Sequence, residues 1–273
     1  MTVATKEIYT WQEFKTAIAE LRKSTHSTSS YVFRGHGSEH WKLETTLERS
    51  WHPQSLSQYY RLILRIKSEI ESLTDLKWPN EPGWPKVNEL SKDYEPLALS
   101  LANLPHYEYM TYLRHHGFPT PLLDWSRSPF VAAYFAFARP LTDNVVIFAY
   151  CETPQRFKTA GSDEPKIVTC GPYVSTHKRH FAQQSQYTIC VQHQKNGWHF
   201  KPHSSVFNLE VPGQDRLYKF RLRGDERAIV LRELLDYNLT AFSLLGSQES
   251  LMKTISVREE LGGAKFKMVE ALR

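Results

Sequence analysis

The sequence predicts a mixed α+β fold in one domain, with helices inserted after its first strand. Three observations carry this: a short β-prone run at 31–33 ends in a polar glycine-rich turn, amphipathic helical stretches follow it, and strand signals return in the second half. At 273 residues with 41% hydrophobic and 13% aromatic content, the chain can bury one large core or two small ones. A disordered or fibrous protein is excluded.

Thr10 and Glu13 form a capping-box pattern, and Trp11, Phe14, Ile18 and Leu21 recur at helical spacing, so residues 10–23 are expected to be an amphipathic helix. A polar loop, STHSTSS, follows. Tyr31-Val32-Phe33 then reads as a strand delivering Arg34 to a site, with Gly35 and Gly37 permitting close backbone approach. Residues 58–73 place Tyr59, Leu62, Ile63, Ile66, Ile70 and Leu73 on one helical stripe. Residues 77–89, KWPNEPGWPKVNE, read as a loop, and 95–117 as a helix broken near Pro105 with Gly117 as its C-cap. Residues 122–126 form a short strand, and Ser128-Pro129 opens the apolar helix FVAAYFAFA with a serine cap and a proline in its first turn. Strands are expected at NVVIFAY, KIVTC, QYTICVQ, RLYKFRLR and AIVL, and a last helix at about 247–261. No internal repeat or low-complexity tract occurs.

Lys and Arg number 34 against 29 Asp and Glu, a net +5 that suits an anionic partner such as a nucleotide or nucleic acid, and equally a bland basic surface. The three cysteines, Cys151, Cys170 and Cys190, form no CxxC pair and cannot complete a disulfide framework, which points to a reducing cytoplasm. No signal-peptide core or membrane-length apolar stretch is present, so a soluble, unprocessed protein with no membrane partner is expected. P-loop, zincin and serine-hydrolase motifs are absent, and His40 stands where a dinucleotide fingerprint needs its third glycine. Histidines 36, 40, 106, 115 and 116 lack nearby cysteine or closely spaced carboxylates, so no metal site is expected.

An arginine ending a buried-type strand needs an anionic partner. For Arg34 this is either a ligand's phosphate or carboxylate, or a structural salt bridge within the protein. Asp124-Trp125-Ser126 admits two readings as well: a polar strand end at a site, or a helix-capping aspartate beside a packing tryptophan.

The blocks YVFRG (31–35), WKLETTLER (41–49), HHGFPTPLLDWSRSPFVAAYF (115–135), RHFAQQSQY (179–187) and LREL (231–234) resemble, in that order, the signatures of FRG domains over about residues 10–250. FRG domains in turn resemble ADP-ribosyltransferases of the arginine-serine-glutamate type. The resemblance implies a single domain over 1–273 with an ADP-ribosyltransferase-like, mixed or antiparallel split β-sheet and a helical insertion at about 50–117. It implies NAD as substrate, held by Arg34, with Asp124-Trp125-Ser126 in place of the family's serine motif and SPFVAAYF as the apolar helix behind it. The implied NAD-binding set is Phe33, Arg34, Gly35, His36, Asp124, Trp125, Ser126, Phe135, Gln183 and Tyr187, with Phe135 or Tyr187 as a stacking face. Loss of nicotinamide leaves an oxocarbenium-like ribose, which explains a requirement for a charge clamp, a nicotinamide slot and a polar group at the ribose.

The chain departs from the pattern in four places. No QxE or ExE strand carries the transferase glutamate, and Gln183-Gln184 occupies the matching loop. Ser185 replaces an expected glycine, Pro121 an expected arginine and His116 an expected aromatic. The catalytic set is therefore Arg34, Ser126 and Gln184, with Glu249 as the fallback carboxylate, although a glutamate at a helix start also serves the helix dipole. Strand alternation in RLYKFRLR puts Lys219, Arg221 and Arg223 on one face and Tyr218, Phe220 and Leu222 on the other, a stripe for RNA or DNA or an ordinary solvated face. The resulting expectation is a cytoplasmic, NAD-consuming mono-ADP-ribosyltransferase, the toxin of a bacterial toxin–antitoxin or antiphage system. It would modify nucleic acid, preferably single-stranded RNA, and be neutralised by an antitoxin protein. The alternatives are a non-catalytic module sensing a nucleotide or ADP-ribose, and an NAD glycohydrolase.

Overall fold

The computed structural model describes residues 4–23, 30–50, 55–78, 82–90, 104–152, 164–171, 178–195, 197–207 and 215–270. Its centre is an eight-stranded sheet formed by β1 (Ala4–Ile8), β2 (Val32–His36), β3 (Leu123–Ser126), β4 (Asn144–Cys151), β5 (Lys166–Cys170), β6 (Ser185–Gln194), β7 (Gly197–Phe200) and β8 (Arg216–Arg223). The order is β1-β8-β4-β2-β3-β6-β5, with β7 paired to β6. Among the described strands, β1 and β8 run parallel and the other pairs are antiparallel. The α+β expectation holds. In the middle of the sheet, β2 and β3 share one register pair, Phe33 with Ser126, and the strands part beyond it.

Helix α1 (Trp11–Lys23) begins at the expected capping box: Glu13 N–H donates to Thr10 Oγ1 at 3.2 Å, and Thr10 N–H to Glu13 Oε2 at 3.3 Å. Its four spaced apolar residues are the four it buries. Between β2 and β3 come α2 (Thr46–Ser50), α3 (Leu56–Thr74), α4 (Trp84–Leu90) and α5 (Tyr107–His115), of which α3 and α5 fall within stretches read as helical from the sequence. α6 (Pro129–Phe137) follows β3, capped by Ser128, whose Oγ accepts from Val131 N–H at 3.3 Å. Short helices α7 (Lys178–Ala182) and α8 (Ser204–Phe207) flank β6 and β7, and α9 (Arg227–Asp236), α10 (Ala241–Leu245) and α11 (Gln248–Glu270) close the described chain.

One face of the sheet, with Phe33, Val145, Ile147, Phe220 and Leu222, packs against α1, α6 and α9. The opposite face gathers Val32, Leu123, Trp125, Val146, Phe148 and Leu217. A third cluster packs α3 and α5, through residues such as Tyr59, Ile63, Tyr109 and Leu113, onto Tyr187, Ile189, Val191 and Trp198 of β6 and β7.

Five expectations are corrected. AIVL lies in α9, because Val230, Leu231 and Leu234 are buried at helical spacing. The loop at 77–89 contains α4, since proline is tolerated in a first helical turn and Val87 is fully covered. On α3 the buried residues are Leu56, Tyr59, Tyr60 and Ile63, whereas Leu73 at the C-terminal end is 78% exposed. The last helix runs to Glu270, and β1 and β7, short strands with little apolar alternation, went unread. Of the helix expected over 95–117, residues 95–103 lie outside the described residues, as do 24–29 of the first polar loop; Gly117, at φ 86°, caps α5 as expected.

Gly35 has a packing reason to be glycine. A Cβ there would stand 1.8 Å from the Ala132 carbonyl oxygen of α6, a backbone atom that cannot swing aside. Gly35→Ala is expected to lower Tm by at least ~5 °C, at about 2–4 °C per kcal/mol for a chain of this size, whereas Gly262→Ala, in open helix surface, leaves it unchanged or slightly raised. Equal melting temperatures in calorimetry would contradict the backbone contact.

Candidate functional site

Where β2 and β3 part, Arg34 bridges them. It shares a strand face with Val32 and His36, and its Nη1 donates to the Asp124 carbonyl oxygen at 2.7 Å, a cross-strand bond made by a side chain where the ladder has stopped. The same nitrogen lies 3.6 Å from Asp124 Oδ2, and Arg34 Nε donates to His36 Nε2 at 2.9 Å. Burial pulls the Arg34 guanidinium down to about 10, with Asp124 acting in the opposite direction, so it stays charged at neutral pH. Asp124 is shared: Arg114, in the last turn of α5, pairs through Nη2 with the same Oδ2.

These groups open onto a cavity of about 400 Å³. Among the described residues, three that bear guanidinium groups line it, Arg34, Arg114 and Arg179, against one carboxylate, Asp124. Arg179 Nε donates to the Leu245 carbonyl at 2.7 Å, and Gln183 Nε2 to the Leu244 carbonyl at 3.0 Å, so α10 steadies that wall. Trp41 and Phe135 contribute aromatic surface, 52% and 37% exposed. A concave volume of this size with convergent cations and aromatic walls suits an anionic ligand carrying a planar ring.

Of the residues expected to bind NAD, Phe33, Arg34, Gly35, Asp124, Trp125, Ser126, Phe135 and Gln183 line this cavity. Trp125 is fixed from behind: its Nε1–H donates to Thr188 Oγ1 at 2.8 Å, and Thr188 is 2.9 Å from His203 Nε2. Ser126 Oγ donates to the Gln183 carbonyl at 2.7 Å and accepts from Ser128 N–H at 3.0 Å, tying the strand end to the loop before β6.

His36 and Tyr187 are not brought to the cavity. His36 is 4% exposed behind Arg34, and Tyr187 lies within the third cluster, where its hydroxyl shares a hydrogen bond of 2.9 Å with cavity-lining His115. Gln184 is not among the cavity-lining residues either: it occupies a left-handed turn at φ 48° and is exposed, its carbonyl accepting from Arg127 N–H. Glu249 is exposed in the first turn of α11, held below the usual carboxylate range first by the Ser247 side chain and its own backbone, which is a helix-start role.

The basic stripe alternates as expected, with Leu217 on the opposite core face from Phe220 and Leu222, but its charges are engaged. Arg221 pairs with Glu39 at 2.5 Å and Glu7 at 3.4 Å, Arg223 pairs with Asp225, and Lys219 donates to the Glu39 carbonyl at 3.4 Å. Sequence reasoning missed Arg114, His115, Arg179 and Trp41. Each stands in or directly beside a quoted block, Arg114 just before HHG, Arg179 opening RHFAQQSQY and Trp41 opening WKLETTLER, which was the signal available. Among the described residues, no group of three or more His, Cys, Asp or Glu is placed to hold a metal ion, and no helix is long and apolar enough to cross a membrane.

The chain is thus an α+β protein with an arginine-lined cavity at a sheet split. Compared with known families, residues 29–145 match the FRG domain. That segment contains β2, the inserted helices, β3 and α6, and hence Arg34, Arg114, Asp124 and Phe135. No match was found among the curated proteins or the solved structures.

Burial holds His36 and His203 neutral, each pushed down to about 3, against an ordinary value near 6.5. The unfolded chain therefore binds protons that the folded chain refuses, and stability falls as pH drops from about 6.5 toward 3, by about 1.4 kcal/mol per pH unit for each group. Denaturant titrations at pH 7, 5 and 4 are expected to show this slope, and His203→Leu to lessen it by one proton. An unaltered slope in that variant would contradict the assignment.

Proposed function

We propose that this protein is an NAD-dependent mono-ADP-ribosyltransferase whose cavity binds NAD. The observation that carries the reading is the three-to-one ratio of guanidinium-bearing residues to carboxylates around a cavity with two exposed aromatic walls. NAD presents two linked phosphates and two flat rings, and planar arginine forks are the side chains best matched to phosphate oxygens. Arg34 and Arg114 take the pyrophosphate or the adjacent ribose, and Trp41 or Phe135 offers a stacking face. Ser126 and Gln183 supply hydrogen-bonding groups at the strand end. As nicotinamide departs with the electron pair of its bond to ribose, the ring becomes cationic at C1′, and Asp124 is the lining carboxylate able to face that charge.

Nucleic acid, preferably single-stranded RNA, is the proposed acceptor, and a cytoplasmic toxin restrained by an antitoxin protein is the proposed setting; both rest on the resemblance to FRG and ADP-ribosyltransferase sequences. One observation favours a second reading: Asp124 is already committed to two arginines, so the cavity offers no uncommitted carboxylate among its described lining residues. That favours a module which binds a nucleotide or ADP-ribose without turning it over.

The test incubates purified protein with NAD labelled on its adenylate and with RNA, DNA and protein substrates. Labelled product lost on RNase treatment is expected, falling at least ~100-fold in Arg34→Lys, which keeps the charge but loses the fork. Thermal stabilisation by NAD with no nicotinamide released would replace the transferase by the binding module, and neither turnover nor stabilisation would overturn both.

A further inference from the structure

The FRG resemblance implies His36 among the ligand contacts, yet it does not line the cavity. It is 4% exposed, edge-on to Phe148 with centroids 5.2 Å apart and to Trp41 at 6.0 Å. Its hydrogen bond to the site is the one of 2.9 Å that Arg34 Nε–H donates to Nε2. An N–H donor can meet an imidazole nitrogen only where that nitrogen carries a lone pair, so the ring is neutral and its proton sits on Nδ1, which is buried and makes no hydrogen bond among the described residues.

The bond matters because of what it does to the fork. With Nη1 on the Asp124 carbonyl alone, the guanidinium plane could turn about that contact; a second fixed bond at Nε sets the plane. The Nη2 group then has no protein acceptor among the described residues. An arginine oriented this way before ligand arrives loses less freedom on binding.

We propose that His36 is a positioning residue, which orients the Arg34 fork toward an anionic ligand of the cavity while touching no ligand itself. The proposal rests on the reading of the cavity as an anion site. Burial first, then the charges of Arg34, Arg49 and Lys219, opposes protonation of the ring, and the Trp41 backbone favours it. Two donors would face each other if the ring took a proton, so the arrangement requires the neutral form throughout the working pH range.

Two measurements test it. Long-range ¹H–¹⁵N spectra of the full chain between pH 5 and 8 are expected to show His36 as an unchanging neutral Nδ1–H tautomer; an Nε2–H tautomer, or titration in that interval, overturns the proposal whether or not the protein binds NAD. Calorimetric titration with ADP-ribose then compares the parent chain with His36→Gln, whose side-chain oxygen can accept from Nε–H, and His36→Leu, which cannot. The glutamine variant is expected within ~3-fold of the parent affinity and the leucine variant weaker by at least ~10-fold at similar Tm. Parent-like binding by His36→Leu overturns the proposal, as does equal loss in both variants. Failure of the parent chain itself to bind would instead overturn the anion-site reading and leave the spectra to decide His36.

Discussion

Arg34 makes a cross-strand bond at the place where the sheet's own ladder gives out. β2 and β3 share one register pair and then part, and the guanidinium spans the opening to the Asp124 carbonyl. A charged side chain in that position needs compensation from several directions. The backbone carbonyl, the Asp124 carboxylate and neutral His36 supply it, and each in turn fixes a neighbour. Arg114 reaches Asp124 from α5, so the inserted helices are tied to the same carboxylate that the sheet uses. The result is a surplus of arginines over carboxylates around a concave space.

Around this bridge the packing leaves little latitude. α6 lies so close to β2 that Gly35 meets it backbone to backbone, and six of its nine residues are buried, with Ala132, Ala133, Ala136 and Phe137 in the core cluster on the sheet. α3 and α5 bury tyrosines against β6 and β7, placing Arg114 and His115 at the cavity from a helix end. α10 receives hydrogen bonds from Arg179 and Gln183 and so braces the far wall.

Elements with strong local signals were legible in the sequence. α1 announced itself through Thr10, Glu13 and four spaced apolar residues, and α6 through Ser128 and Pro129, because caps and periodicity are local properties. Arg34, Asp124 and Ser126, which line one cavity, drew attention in the sequence because an arginine at a buried strand end and a polar strand end demand partners. β1 was not, since its residues are mostly exposed and its place depends on β8, more than 200 residues away in sequence. AIVL misled because four apolar residues in a row fit a strand or a buried helix equally. Lys219, Arg221 and Arg223 misled because strand alternation places charges on a face but cannot reveal Glu7 arriving from β1 and Glu39 from the loop after β2. Glu249 and Gln184 were chosen for chemistry that only three-dimensional placement could have refused.

The central claim is that the cavity at the sheet split holds an anionic, ring-bearing ligand on its arginines. A crystal structure of the protein soaked with ADP-ribose tests it most directly. The account expects the pyrophosphate or ribose within hydrogen-bond distance of Arg34 and Arg114, with adenine against Trp41 or Phe135. An empty cavity at saturating ligand, or ADP-ribose bound on another surface, would contradict it.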